Sequence, residues 1–232
     1  TLPSFITYSL STALVPAISE GMEQKKLQVV EYRLEQAMRL CLLSGGISVV
    51  ILYVFADELM SVMYGSSGAA VFIKVMAPFF LLYYFQGPLQ AVLQALNLAG
   101  AAMMNSLIGA LVKTGLIFVL ATRPSLGIMG AALAIVTGMV LVTLLHAATV
   151  SKVLPISIKI KEYVLCFAVI FICGFLSSAV KQYVRFGESE AVNVAGWIAI
   201  SAVFYIILLL VFRLIKKDEL RRIPIIGRLI VR

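Results

Sequence analysis

The chain has 232 residues, of which 62% are hydrophobic and only 13% are charged, and its mean hydropathy is +1.04. This composition excludes a soluble globular domain and indicates that the solvent of the chain is a lipid bilayer. The net charge of +8 does not indicate nucleic-acid binding, because the cations lie between apolar runs and not on a polar, aromatic-studded surface. The chain opens at Thr1 with an abrupt apolar run, so we expect the carboxy-terminal part of a longer protein.

Apolar segments long enough, or nearly so, to cross about 30 Å of hydrocarbon recur along the chain. They cover residues 2–19, 36–56, 71–98, 104–121, 127–150, 163–180 and 192–212. This pattern predicts an all-α, polytopic membrane bundle of about seven helices. Residues 1–150 would form a bundle of five helices, 151–212 two peripheral helices, and 213–232 a basic tail. Residues 20–39 have the look of an amphipathic helix lying on the membrane surface.

Most of the 19 Lys and Arg residues fall in connections on one side of this predicted bundle. They lie in the loop after the first segment, in the loop before the sixth and in the tail. By the positive-inside rule these connections are cytoplasmic, so we expect a multi-pass protein of the cell membrane with a cytoplasmic carboxy terminus.

The third segment carries a polar stripe. At about 100° per residue its polar side chains fall within an arc of roughly 80°; they are Tyr83, Gln86, Gln90, Gln94 and Asn97. Gly87 and Pro88 interrupt the helix within the stripe and are a candidate hinge, since proline removes a backbone hydrogen bond. Lipid cannot hydrogen-bond an amide, so the stripe faces either a water-filled cavity or neighbouring helices.

Lys113 is the most informative single residue of the sequence. Asn105, Gly109 and Lys113 share one side of the fourth segment, and Lys113 lies near its middle, too deep for easy snorkelling. A charge at this depth costs about 2.5–3.5 kcal/mol, which favours a functional role. The alternative is a fixed partner in a static bundle. Lys74, nearer the end of its segment, is expected to reach the membrane interface.

The first segment presents a face of hydroxyl groups that includes Tyr8 and Ser11. This face could line the same cavity as the stripe. Alternatively, its Ser and Thr hydroxyls bond back to the preceding turn and its small residues serve close packing of helices.

Several kinds of chemistry are absent from the sequence. We place all 11 carboxylates in loops or at interfaces, so none is available for ion coupling in mid-membrane. One histidine, His146, and three scattered cysteines cannot build a catalytic triad or a metal site, and we expect His146 to be interfacial. The sequence has no Walker motif. We therefore expect no enzymatic activity, no metal and no cofactor.

The polar and small residues, in their order and spacing, resemble a known family. Residues 2–20, from Leu-Pro-Ser-Phe to Ala-Ile-Ser-Glu, look like the eighth helix of the stage V sporulation protein B family. The run from Gln86 through Lys113, and Gly-Ile-Met-Gly-Ala-Ala at 127–132, are similar to its tenth to twelfth helices. This family consists of polysaccharide-exporter-like members of the superfamily that includes lipid II flippases and multidrug and toxin extrusion transporters.

The resemblance implies helices eight to fourteen of a fourteen-helix exporter, that is, the second lobe plus two extra helices. It implies a lipid-linked oligosaccharide substrate, such as a peptidoglycan precursor, a role in spore cortex or cell-wall synthesis, and a missing amino-terminal lobe as partner. Lipid II flippases can use carboxylates of the second lobe for cation coupling, and this sequence has none embedded. Two alternatives stay open: a drug or cation exporter of the same fold, and a non-transporting scaffold for cell-wall enzymes.

Overall fold

The computed structural model describes residues 2–154 and 160–215, and the side chains of residues 9, 11–154 and 160–215. The described residues are helical with no strand, which confirms the all-α prediction. The helices are α1 (Leu2–Glu23), α2 (Leu27–Val54), α3 (Ala56–Tyr64), α4 (Ala70–Met76), a 3-10 turn (Ala77–Phe79), α5 (Phe80–Ala95), α6 (Ala99–Ala121), α7 (Ile128–Ser151), α8 (Ile160–Tyr183) and α9 (Glu190–Val211).

Six helical stretches in the described ranges are long and apolar enough to cross a membrane. They are α2, the stretch Ala70–Ala95 formed by α4, the 3-10 turn and α5, and then α6, α7, α8 and α9. Together with α1, a further helix of 22 residues, they account for the segments expected from the sequence. The chain divides into two compact units, Thr1–Ile158 and Lys159–Arg232.

The predicted surface helix over residues 20–39 is wrong. Instead α1 continues to Glu23, and α2 begins at Leu27 and runs without a break to Val54. The turn between them is closed by Lys25, which adopts φ = 56°, and by a bond from the Lys26 N–H to the Gly21 carbonyl at 2.8 Å. No Gly or Pro occurs between Leu27 and Arg39, so nothing in the sequence stops the helix there.

One consequence is that α2 carries charges that the sequence placed in a loop or at an interface. Arg39 lies inside α2 and is only 4% exposed, while Glu31 and Glu35 are half-buried on the same helix. A charged side chain is fully buried in a protein almost only when it is paired, and Arg39 has such an interaction. The connection after α1 therefore contains only the short turn between Glu23 and Leu27.

The break in the third segment lies earlier than predicted. It is the 3-10 turn Ala77–Phe79, which has Pro78 in its first turn, where a missing backbone N–H costs nothing. Gly87 and Pro88 instead lie inside an uninterrupted α5. Asn97 is not helical either: it follows the end of α5 with φ = 59°, and the Leu98 N–H closes the turn on the Leu93 carbonyl at 2.7 Å.

In the unit Thr1–Ile158, α5 packs against α1, α2 and α7, and α6 packs mainly against α7. Close contacts are possible where a glycine faces a large side chain. The ring of Tyr84 lies directly against Gly45, where α2 meets α5. At the end of α5 the Ser19 hydroxyl lies 3.5 Å from the Ala95 carbonyl, so the last turns of α1 and α5 lie next to each other.

The unit Lys159–Arg232 contains the hairpin of α8 and α9. Its loop is fixed by Asn193, whose side chain accepts bonds from the N–H groups of Phe186 (2.7 Å) and Gly187 (3.2 Å). The same amide donates to the carbonyls of Gly187 (2.9 Å) and Ser189 (3.1 Å). The Trp197 indole N–H donates to the Val184 carbonyl at 2.7 Å. These bonds satisfy loop groups that lipid could not satisfy.

Candidate functional site: a polar face on α5 and Lys113 on α6

Three members of the predicted stripe form an exposed polar face on α5. Tyr83 is 40% exposed, and Gln90 and Gln94 are exposed as well. No hydrogen bond to these three side chains occurs within the described residues, although the Tyr83 ring packs at 6.1 Å from that of Tyr84. Asn97 is exposed in the turn after α5. We call Tyr83, Gln90 and Gln94 the α5 polar face.

Gln86 does not belong to this face, although it lies on the same stripe. Its amide nitrogen donates to the Met139 carbonyl at 2.8 Å and lies 3.0 Å from the Thr143 hydroxyl, both on α7. The Thr143 hydroxyl also lies 3.1 Å from the Leu82 carbonyl and 2.8 Å from the Met139 carbonyl. Gln86 therefore joins α5 to α7, and its predicted place in a cavity stays a prediction.

The predicted polar face of α6 is turned towards α7. The Asn105 amide donates to the Thr149 hydroxyl at 3.0 Å, so Asn105 likewise pairs two helices, and its place in a cavity stays a prediction. Successive contacts follow the antiparallel pair of helices: Asn105 with Thr149, Gly109 with Val142, Lys113 with Gly138, and Leu120 with Gly130. We call these four contacts the α6–α7 seam.

Lys113 takes part in the seam through its aliphatic stem. A Cβ built on Gly138 would lie 2.8 Å from the Lys113 Cβ, 3.2 Å from its Cγ and 3.4 Å from its Cδ. At 1.5 Å per residue, Lys113 lies about 21 Å from the start of α6 and about 12 Å from its end. It is half-buried, and within residues 2–154 and 160–215 its ammonium group makes no hydrogen bond or ion pair.

Lys74 differs from Lys113 in having a counter-ion. Its ammonium forms an ion pair with the Asp57 carboxylate, which joins α4 to the first turn of α3. The pair is partly exposed, as expected for charges close to the end of a membrane helix. Of the two embedded lysines of the unit, Lys113 is thus the one whose charge the described residues do not balance.

The remaining predicted site residues lie on α1 and in the middle of α5. Ser11 is 7% exposed and makes a polar contact within its unit, and its place in a cavity stays a prediction. The side chain of Tyr8 lies outside the described residues. Pro88 is buried and Gly87 half-buried within α5, where Pro88 removes one backbone bond; their role as a hinge stays a prediction.

Two features of α7 were not foreseen from the sequence: the burial of His146 and the contact of Gly138 with Lys113. The small residues at 127–132, which include Gly130, do indicate close helix packing there. His146 is 1% exposed, and its Nδ1 has no hydrogen-bond partner among the described residues, so it is buried within its unit; its interfacial depth stays a prediction. Gly130 packs against the backbone of α6, and Gly138 packs against the stem of Lys113. The spacing of small residues Gly130, Ala134 and Gly138 along α7 was the available signal for this contact.

No group of three or more His, Cys, Asp or Glu side chains that could hold a metal ion occurs in the part of the chain that the structure describes. Cys41, Cys166 and Cys173 are free and buried. The chemistry available at the α5 polar face and Lys113 is therefore hydrogen bonding by amides and hydroxyls and the attraction of negative charge. Such groups can bind a ligand but supply no nucleophile paired with a base.

Comparison with known proteins agrees with this description. The chain is 93% identical over 232 residues to stage V sporulation protein B of Bacillus subtilis (strain 168), covering 100% of this chain and 45% of that protein. It is 31% identical over 156 residues to sporulation protein YkvU of the same organism, covering 67% of this chain and 35% of that protein. The chain thus spans less than half the length of the curated relatives that it matches.

A solved structure gives the fold of these helices. Lipid II flippase MurJ, in the inward closed conformation, matches the whole chain with a TM-score of 0.65 and 19% sequence identity, over 45% of its own length. This likeness confirms the predicted exporter fold. The MatE family model matches residues 2–119. The chain therefore belongs to the MatE family.

Proposed function

We propose that this chain is the second half of a flippase that moves a lipid-linked oligosaccharide or peptidoglycan precursor across the cytoplasmic membrane, in spore cortex or cell-wall synthesis. The single observation that carries the proposal is the α5 polar face. Exposed amides on a membrane helix need water or a polar ligand, because hydrocarbon offers neither donor nor acceptor. The names of the relatives, a sporulation protein and a lipid II flippase, support the substrate class.

The neighbouring helix provides the contrast that makes this face informative. The exposed side chains on α6 are apolar except for Thr114, and they include Met103, Leu107, Leu111 and Phe118, as expected for a surface in contact with lipid. The α5 polar face has the opposite composition, and we assign it to a water-filled cavity. The opposite wall of that cavity belongs to the rest of the protein, since the chain spans 45% of its nearly identical relative.

Lys113 supports an anionic substrate. An ammonium at this depth without a counter-ion in the described residues is costly to keep in hydrocarbon, and it becomes favourable when a negatively charged group approaches. A pyrophosphate linkage between lipid and sugar is such a group, and the amides of Gln90 and Gln94 can bond sugar hydroxyls. A cationic drug would leave the lysine unbalanced, which makes an exporter of cations the weaker alternative.

The orientation that we propose follows from the distribution of basic residues. Lys25 and Lys26 in the turn between α1 and α2, with the basic residues of the tail, are assigned to the cytoplasmic side by the positive-inside rule. The carboxy terminus is then cytoplasmic, although the tail beyond residue 215 lies outside the described residues. A reporter fused to the carboxy terminus of the full-length protein is expected to be active in the cytoplasm only.

Water access to the α5 polar face tests the proposal directly. In the full-length protein, a cysteine introduced at Gln90 should react with a charged, membrane-impermeant thiol reagent added from one side of the membrane, because the cavity opens to water. A cysteine at Leu111, on the apolar surface of α6, is the matched control and should stay unreactive. Protection of position 90 from both sides would favour a static scaffold and reject the cavity.

The charge of Lys113 is tested separately. Lys113→Ala in the full-length protein should abolish complementation of a sporulation-deficient or flippase-deficient strain while the protein still inserts in the membrane. Lys113→Met keeps the aliphatic stem on Gly138 but removes the charge, and should fail in the same way. Full complementation by both variants would remove Lys113 from the mechanism.

A further inference from the structure

We propose that Gly138 is a positioning residue for Lys113: the bare backbone of α7 at this point holds the lysine stem and thereby sets where the ammonium lies. This inference rests on the proposed function, since it concerns the same lysine. It starts from the observation that the stem lies along Gly138 over three consecutive carbons, Cβ, Cγ and Cδ. Only a residue without a side chain leaves room for this contact.

The contact matters because nothing polar in the described residues holds the ammonium. Lys74 is fixed by its ion pair with Asp57, whereas the Lys113 ammonium has no bonding partner in the described residues. A lysine side chain has four rotatable bonds and would otherwise sample many directions. Packing of its stem is therefore the available means of orientation, and Gly138 is the glycine of α7 that the stem contacts.

The neighbouring turn of the seam supplies a comparison. Gly109 on α6 receives Val142 of α7 in the same close manner, one turn away from the contact of Gly138 with Lys113. Both glycines bring the two helices together, but only Gly138 touches Lys113. A substitution at Gly109 therefore loosens the seam without a direct effect on the lysine, and a substitution at Gly138 does both.

The decisive experiment compares Gly138→Ala, Gly109→Ala and Gly115→Ala in the full-length protein. Gly115 also lies on α6 and has no atom within 4 Å of a built Cβ, so its substitution controls for the change of residue type. Two quantities are measured: complementation, and the rate at which an amine reagent labels Lys113, by peptide mass spectrometry. Labelling of Lys74 in the same molecules is the internal reference.

We expect Gly138→Ala to lower activity about 10- to 100-fold, the range for a misplaced functional group, and to change the labelling rate of Lys113 relative to Lys74. Gly109→Ala should leave that ratio unchanged, and Gly115→Ala should change neither quantity. Equal effects of Gly138→Ala and Gly109→Ala on the labelling ratio would overturn the proposal, because Gly138 would then act on packing alone.

A double variant covers the case in which Gly138→Ala does not accumulate. Lys113→Gly combined with Gly138→Ala moves the Cβ from one helix to the other, which removes the contact at 2.8 Å. Restored accumulation supports a direct contact between the two positions, and continued loss overturns it. These outcomes can be told apart from a failure of the proposed function. If Lys113→Ala is fully active, the lysine has no role in transport. If Lys113→Ala is inactive but Gly138→Ala leaves the labelling ratio unchanged, only the positioning role of Gly138 is rejected.

Discussion

Gln86 and Gln90 stand one helical turn apart on the same stripe, and the structure gives them different roles. Gln86 bonds to α7 through the Met139 carbonyl at 2.8 Å and the Thr143 hydroxyl at 3.0 Å. Gln90 is exposed and has no partner in the described residues. We therefore expect Gln86→Ala to lower the stability of the folded protein, and Gln90→Ala to lower transport without lowering stability.

The magnitude follows from the two bonds of Gln86. Interhelical hydrogen bonds within membranes contribute about 0.6 kcal/mol on average and up to about 1.7 kcal/mol. Loss of two such bonds should therefore cost about 1–2 kcal/mol, since the Met139 carbonyl and the Thr143 hydroxyl keep their bond to each other. Gln90→Ala removes no bond within the described unit, and its stability should change by less than about 0.5 kcal/mol.

The assay is unfolding of the full-length protein in detergent, with complementation measured in parallel. Gln86→Leu is the matched variant, because it keeps most of the side-chain volume and should lose stability to a similar degree as Gln86→Ala. Two results would refute the division of the stripe into a helix-pairing residue, Gln86, and a cavity wall. One is equal stability of the wild-type protein and both Gln86 variants. The other is a loss of stability in Gln90→Ala as large as that in Gln86→Ala.

Three further predictions concern the frame that carries the site. Gly45→Ala places a methyl group against the Tyr84 ring where α2 meets α5, and should destabilise the protein by about 1–3 kcal/mol in the same unfolding assay; an unchanged midpoint would contradict this contact. Asn193→Ala removes the four bonds that the Asn193 side chain makes in the loop before α9, so protease should cleave residues 184–189 faster. Glu188→Ala, an exposed change in the same loop, should not alter cleavage. Lys25→Gly relieves the left-handed backbone at φ = 56° in an exposed turn and should stabilise the protein by about 1 kcal/mol; a lower melting temperature would show that the lysine side chain stabilises the turn.

The sequence alone determined that the chain lies in a membrane, that its fold is all-α, and where most of its helices are. Long apolar runs specify membrane helices because hydrocarbon forces each backbone group to bond within its own helix. Helix boundaries were less secure, as α2 and the Ala77–Phe79 turn show. A charged, amphipathic stretch at the start of α2 has the same local pattern whether it lies on the membrane surface or continues into the bundle, and only packing decides between the two.

The stripe itself was also determined by the sequence, since helical periodicity places Tyr83, Gln86, Gln90 and Gln94 on one side of α5. Periodicity cannot say what each residue meets. The α7 carbonyl of Met139 comes within bonding distance of Gln86 and not of Gln90, and Gly138 rather than a polar group receives Lys113. Only the tertiary structure decided which polar groups hold helices together and which stay open, because that depends on contacts between residues more than 20 positions apart in the chain.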